Sequence, residues 1–396
     1  MPVPTPFHPR TAPLCESYEW REWAGYLAAS SYQPNHEYEY YAIRNAAALI
    51  DVSPLFKYEI RGPDAARLVN RIMTRDVSKC AIGQVMYSPW CDDAGMVIDD
   101  GTVARLDAQR FRITAADPNL LWFQDCGLGL DVTVTDVSTD LAALALQGPS
   151  SRQILKEALT GVDLDKLKYY RLAPAHLDGV PLTVSRTGYT GDLGYELWIA
   201  PEHAGLLWDR LVEHGRAYGI APAGMVALDI ARIEAGLLLT QVDYFSSRTA
   251  LNEAQKTSPF EIGLGWAVDL DKGPFVGRKA LLAEQARGSK WQWVGLEVHW
   301  ESLEALFTAY DLGVRVAGRA SRSAVPIYKG GNQVGQVTSH TFSPILNKYI
   351  GLGTVESQLA SVGDQVSMEV TVEYHRLQAN ATLTKTPFYN PAHKRT

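Results

Sequence analysis

The chain is poor in cysteine, with four in 396 residues and no C-x-x-C pair. Cys15, Cys80, Cys91 and Cys126 stand too far apart along the sequence to suggest a disulfide framework or a thiolate zinc site. A reducing, cytoplasmic setting is therefore expected. No apolar run is long enough to cross a bilayer, so no membrane role is expected. Residues 1–10 are polar and Pro-rich, without the apolar core of a signal peptide. A surplus of positive charge is also missing: 37 Lys and Arg face 44 Asp and Glu, a net charge of −7. That balance excludes broad binding to nucleic acid or an anionic membrane, while leaving room for a local basic pocket. There is no Walker loop, H-E-x-x-H, G-x-S-x-G or metal-ligand cluster, so no metal is expected. Gly127-Leu128-Gly129 and Gly263-Leu264-Gly265 do not open a helix after a strand, so neither is a dinucleotide fingerprint. Among the scattered histidines, His340 reads as a loop residue rather than a base.

What the chain does have is aromatic and glycine-rich. Ten Trp and nineteen Tyr supply flat amphipathic side chains. Residues 185–197 read S-R-T-G-Y-T-G-D-L-G-Y-E-L, with Gly188, Gly191 and Gly194 at every third position. Such spacing suits neither a helix nor a strand interior; it lets backbone turn tightly and approach something closely. Apolar runs on both sides make the segment a turn-rich link between two strands. Tyr189, Tyr195 and Glu196 could line a pocket for a flat, nitrogen-rich heterocycle, with aromatic faces for stacking and a carboxylate for paired N–H donors. The same residues also fit a surface hairpin whose Glu caps a nearby turn.

The rest of the chain reads as a mixed α+β body followed by a smaller β domain. Residues 58–72 and 144–158 share one plan, a strand, then Gly-Pro, then an amphipathic helix, with Pro63 and Pro149 expected in the first helical turn. Residues 84–114 alternate as strands, 201–219 and 222–239 are two helices, and 240–290 is an irregular bridge with a helix near 278–286. From Trp293 the pattern turns to β, including a hairpin closed at Gly330-Gly331. A second constellation lies at residues 87–100, where four aspartates flank a turn and a short apolar run. Asp99 and Asp100 point to opposite faces of an extended strand, so one could face a pocket while the other is solvated.

The glycine-punctuated segment resembles the S-R-T-G-Y-T-G-E-D-G-F-E signature of the glycine-cleavage T-protein, the tetrahydrofolate-dependent aminomethyltransferase family that also includes folate-dependent demethylases. Residues 87–100 are similar to its Y-S-x-x-C-N-x-x-G-G-I-I-D-D stretch, Thr114-Ala115-Ala116-Asp117 to N-A-A-N, residues 224–236 to G-L-G-A-R-D-x-x-R-L-E-A-G, and the C-terminal Lys385–Tyr389 region to K-K-P-F-Y. The resemblance implies a three-domain cloverleaf with a C-terminal all-β, barrel- or jelly-roll-like domain. It places domain one at 1–51 plus 141–250, domain two at 52–140, a linker at 251–289 and the β domain at 290–396. It implies tetrahydrofolate as cofactor, Glu196 as the pterin anchor, Tyr87, Tyr189, Thr114 and Arg232 as further cofactor contacts, and Asp100 as the catalytic carboxylate. The implied partners are a small methylated or aminomethyl donor and a lipoyl carrier protein.

Departures cluster on the donor side. Residues 51–56 read D-V-S-P-L-F where the family has D-V-S-H-M-G, Leu228 replaces an Arg, Met96 replaces a Gly, and residues 301–317 are extra. Arg232 could instead pair with Asp229 one helical turn earlier, and Thr114 or Asp117 could cap a helix. The departures tilt the reading toward a demethylase over a T-protein that takes an aminomethyl group from lipoyl-protein H. A folate-binding regulator without turnover is the rival from another class.

Overall fold

The computed structural model describes residues 1–395. Three sheets organise it. The first has six strands in the order Leu172–Leu177, Val180–Ser185, Gly194–Ile199, Ala142–Gln147, Ala47–Asp51 and Ile220–Pro222. All neighbours are antiparallel except the last pair. Alternation sends Leu144, Leu146, Leu197 and Ile199 to one face, against helices Ser151–Ala158 and Ala204–Gly215. Ile50, Ala143, Ala145 and Trp198 take the other face, against helices Glu37–Asn45 and Met225–Glu234.

The second sheet runs Val85–Cys91, Val97–Asp107, Arg110–Ala115, Phe56–Arg61 and Thr133–Asp136. Tyr58, Met86, Trp90, Phe111 and Ile113 pack on helices Ala65–Ile72 and Leu120–Cys126. The opposite face, which this packing leaves free, carries Tyr87, Asp100, Thr102, Arg112 and Thr114. Arg112 reaches across to the first sheet: its guanidinium lies 4.3 Å from the Trp198 ring centroid. The free face of one sheet thus meets the other.

The third sheet is a closed six-stranded barrel, with the hairpin Val325–Lys329 and Asn332–Ser343 turning at Gly330-Gly331 as expected. Two expectations for this region need correction. The β domain is not all-β: helix Trp300–Thr308 occupies the extra sequence, with Leu303 in the barrel core. Leu303, Leu306 and Phe307 carry the helical spacing that marks it. His340 is not in a loop but within strand Asn332–Ser343, its Nδ1 paired with Tyr349 Oη at 2.7 Å. Pro63 and Pro149 also shift, each to the residue before the helix N-cap (Asp64 and Ser150) rather than into the first turn.

Burial lowers His340 to about 4. The folded state therefore resists its protonation, and stability is lost as pH falls from about 6.5 towards 4, by up to about 3 kcal/mol. Urea unfolding at pH 7 and pH 4.5 checks this: His340→Gln loses less stability over that interval than the parent protein. An equal loss in the two proteins would contradict it.

One buried polar cluster ties the sheets together. Glu234, fully buried, accepts from Arg44 Nε (2.9 Å), Tyr40 Oη (2.6 Å) and Ser343 Oγ of the barrel (2.5 Å). Arg44 also donates to the Thr190 carbonyl (2.8 Å) and reaches Asp192 (3.5 Å), while Tyr389 and His393 of the C-terminal segment hold Asp192 from the other side. The glycine-rich hairpin is thereby fastened to two helices, the barrel and the tail.

Candidate active site

Residues 185–197 do link two paired strands, Val180–Ser185 and Gly194–Ile199. What the glycines approach is the protein itself. Gln147 threads between Gly188 and Gly194, where an added Cβ would lie 2.0 and 2.1 Å from its Oε1. Side chains at either position would expel Gln147, which accepts from Thr190 Oγ1 at 2.9 Å and donates to the Thr187 carbonyl at 3.3 Å. The glycines lock the hairpin, and the lock sets the direction of Glu196.

Glu196 sits on the same face of its strand as Trp198, not at a hairpin tip capping a turn. Thr187 Oγ1 donates to one carboxylate oxygen at 2.5 Å. Burial pushes its carboxyl above the ordinary range, against the opposing pull of Thr187 and the Arg112 charge.

Asp100 is held by two phenols. Tyr87 Oη donates to one oxygen at 2.6 Å and Tyr244 Oη to the other. Burial raises its carboxyl, and the two phenols pull the other way. Asp99 does take the opposite face, but it is fully buried rather than solvated. It accepts the backbone N–H of Asp100 (2.8 Å) and Asp117 (3.0 Å) and the Asn119 side-chain amide (2.9 Å). Asp99 shapes the turn that follows; Asp100 is the carboxylate of the inter-sheet face.

Tyr170 links the two acids. Burial raises its phenol, and the negative charges of Glu196 and Asp100 both add to the shift. Tyr189, buried as well, feels Arg232 and Asp100, and its hydroxyl donates to the Leu238 carbonyl. Tyr87 stacks on Trp266 at 5.9 Å, and Arg75 lies over the same indole. Thr114 stays on the inter-sheet face, opposite Thr102 and Lys57, and neither it nor Asp117 is the N-cap of helix Leu120–Cys126, a place taken by Asn119.

Arg232 differs from its expected role. It is 1 % exposed, and each of its three nitrogens donates within the protein, to Asp229 (2.8 Å), Asp243 (2.6 Å) and Ser339 of the barrel (2.8 Å). It clamps the helix Met225–Glu234 to the barrel below Tyr189 instead of offering a donor to a ligand. Sequence reasoning missed Tyr170, Tyr244, Trp266 and Arg112. Two surface depressions of about 530 and 520 Å³ lie along the N-terminal arm and contain none of these residues.

Comparison with known proteins fits this geometry. The family description "GCVT N-terminal domain" matches residues 8–272, and "Glycine cleavage T-protein C-terminal barrel domain" matches residues 312–390. The chain belongs to the glycine cleavage T-protein family. Within it, an aminomethyltransferase of Desulfitobacterium hafniense is 35 % identical over 334 residues, 83 % of this chain and 84 % of that one. A trimethylamine-oxide aldolase of Ruegeria pomeroyi is 36 % identical over 401 residues, 98 % of this chain but 47 % of that longer protein. The solved glycine cleavage system aminomethyltransferase T of Bartonella henselae shares the T-protein fold, with a TM-score of 0.82 at 23 % identity over 98 % of this chain and 99 % of its own. Its family relatives are enzymes, and no helix among the described residues is long and apolar enough to cross a membrane.

Proposed function

We propose that this protein is a cytoplasmic, tetrahydrofolate-dependent one-carbon transferase that moves a methyl group from a small methylated donor to N5 of tetrahydrofolate. The observation that carries the proposal is the pairing of two buried carboxylates, Asp100 and Glu196, on facing sheets around Tyr170. We read residues 1–51 with 141–250, 52–140 and 290–396 as its three lobes, joined by 251–289.

The residues present fit a reduced pterin. Glu196 keeps one carboxylate oxygen free of Thr187, so it can accept paired N–H donors. Tyr87 and Tyr189 supply flat walls, and Thr114 lies beside them. Bound here, tetrahydrofolate supplies the nucleophilic nitrogen that accepts the one-carbon unit. Asp100 faces the positive charge that builds on the migrating carbon and can take the proton released there. Its two phenol partners fix its orientation without needing to reorganise during the step. Helix Trp300–Thr308, Leu228 and the missing His in residues 51–56 favour the demethylase form over transfer from a lipoyl carrier protein.

Incubation with tetrahydrofolate and either a panel of methylated donors or an aminomethyl-lipoyl carrier, read by the mass of the folate product, tests this. Methyltetrahydrofolate from a small donor is the expected product. Methylenetetrahydrofolate from the carrier alone would return the protein to aminomethyl transfer, and tetrahydrofolate binding with no product from either would make it a regulator. Glu196→Ala is expected to weaken tetrahydrofolate binding by about 100-fold in calorimetry, because a charged acceptor of two hydrogen bonds is lost.

A further inference from the structure

Arg112 is a cation without a partner. It is 5 % exposed, and its guanidinium forms no hydrogen bond or ion pair among the described residues; the enclosed Nε has no acceptor at all. Trp198 supports the planar group from one side at 4.3 Å. Trp198 and Glu196 lie two residues apart on one strand and share a face, so the guanidinium and the Glu196 carboxylate border the same space. They act on each other through charge, yet do not pair directly. Every other buried arginine of this region is fully engaged: Arg232 by Asp229, Asp243 and Ser339, and Arg44 by Glu234 and the Thr190 carbonyl. A buried guanidinium left unpaired in a folded protein is costly, which points to an acceptor that arrives with a ligand.

We propose that Arg112 and Glu196 together read the pyrimidine edge of the reduced pterin, Arg112 donating to the 4-oxo oxygen while Glu196 accepts from the 2-amino group and N3–H. This rests on the folate reading above and assigns a role to a residue it leaves unused. The 2-amino-4-oxopyrimidine edge presents donor, donor and acceptor in a row. A carboxylate alone satisfies the first two; an arginine beside it completes the set. The planar guanidinium, backed by an indole, has little rotational freedom to lose on binding. Each partner of the pair is incomplete without the ligand, and the two deficits match its edge.

The test is calorimetric and needs no turnover. Tetrahydrofolate and its 4-thioxo analogue, which keeps N3–H but offers sulfur as a weaker acceptor, are titrated into the parent protein and Arg112→Met. The parent protein should bind tetrahydrofolate about 10-fold or more tighter than the analogue, and Arg112→Met should bind both within about 2-fold of each other. Arg112→Met should also melt no lower than the parent, since no internal partner is abandoned. If the variant does not fold, the discrimination by the parent protein alone decides. Equal affinity of the parent for the two ligands overturns the proposal, as does an unchanged discrimination in Arg112→Met. A variant that keeps tetrahydrofolate affinity but loses only carboxylate-bearing donors would move Arg112 to the donor side and overturn it too. Failure of the parent to bind either ligand would instead bring down the folate reading as a whole.

Discussion

Asp100→Asn slows one-carbon transfer by about 100-fold or more while leaving tetrahydrofolate affinity within about 3-fold. Asn keeps the size of the side chain and can still accept from one of the two phenols, Tyr87 or Tyr244, so the local structure survives. What it loses is negative charge at the reacting centre. That charge acts in a buried setting, where it is worth more than in water. The same variant alters the pH profile. Burial raises the Asp100 carboxyl above its ordinary value of 3.8, so the ionised form is lost at a higher pH than for an exposed aspartate. Transfer by the parent protein should therefore fall as pH drops through that raised value, and the residual rate of Asp100→Asn should lack this acid limb. Single-turnover rates from pH 5 to 9 give both readouts. An unchanged rate at pH 7, or an acid limb retained in the variant, would remove Asp100 from the chemistry.

Glu234→Ala should destabilise the fold by about 3–5 kcal/mol, the largest stability effect expected in this chain. Glu234 and Arg44 have no exposed side-chain surface and lie 2.5 Å apart. Removing the acid leaves the Arg44 guanidinium buried with Asp192 at 3.5 Å as its nearest counter-charge, and leaves Tyr40 and Ser343 without an acceptor. The penalty comes from the abandoned cation more than from the lost pair. A double replacement, Arg44→Met with Glu234→Leu, should therefore recover much of the loss. Chemical denaturation of the three proteins decides the matter. A double variant no more stable than Glu234→Ala would show that the pair itself, not the stranded charge, carries the energy. Because Arg44 also fixes the carbonyl of Thr190, the single variant should loosen the hairpin that directs Glu196.

Local patterns made much of this legible. The strand–glycine hairpin–strand unit could be read because alternation and glycine spacing are properties of neighbouring residues. The barrel hairpin at Gly330-Gly331 and the pairing of Arg232 with Asp229 follow from the same kind of rule. Alternation also put Asp99 and Asp100 on opposite faces, but it could not say what covers each face. Asp99 was expected in water and is instead enclosed by Asn119 and the backbone of Asp117. The partners that decide function come from far along the chain. Tyr244 reaches Asp100 from 144 residues away, in a stretch whose irregular backbone gave no periodic signal. Arg232 gains Asp243 and Ser339 the same way, which turns an expected ligand contact into an internal clamp. Arg112 was hidden for the opposite reason. In an alternating strand it looks like a solvated cation, and only the meeting of two sheets shows it to be buried and alone.

The most direct measurement is the structure of this protein with tetrahydrofolate bound. The pterin should lie between the two sheets, its amino edge on Glu196 and its N5 side turned to Asp100 within hydrogen-bonding reach, roughly 3 Å or one bridging water. A pterin bound elsewhere, or one lying between the sheets with its N5 side turned away from Asp100, would contradict the account.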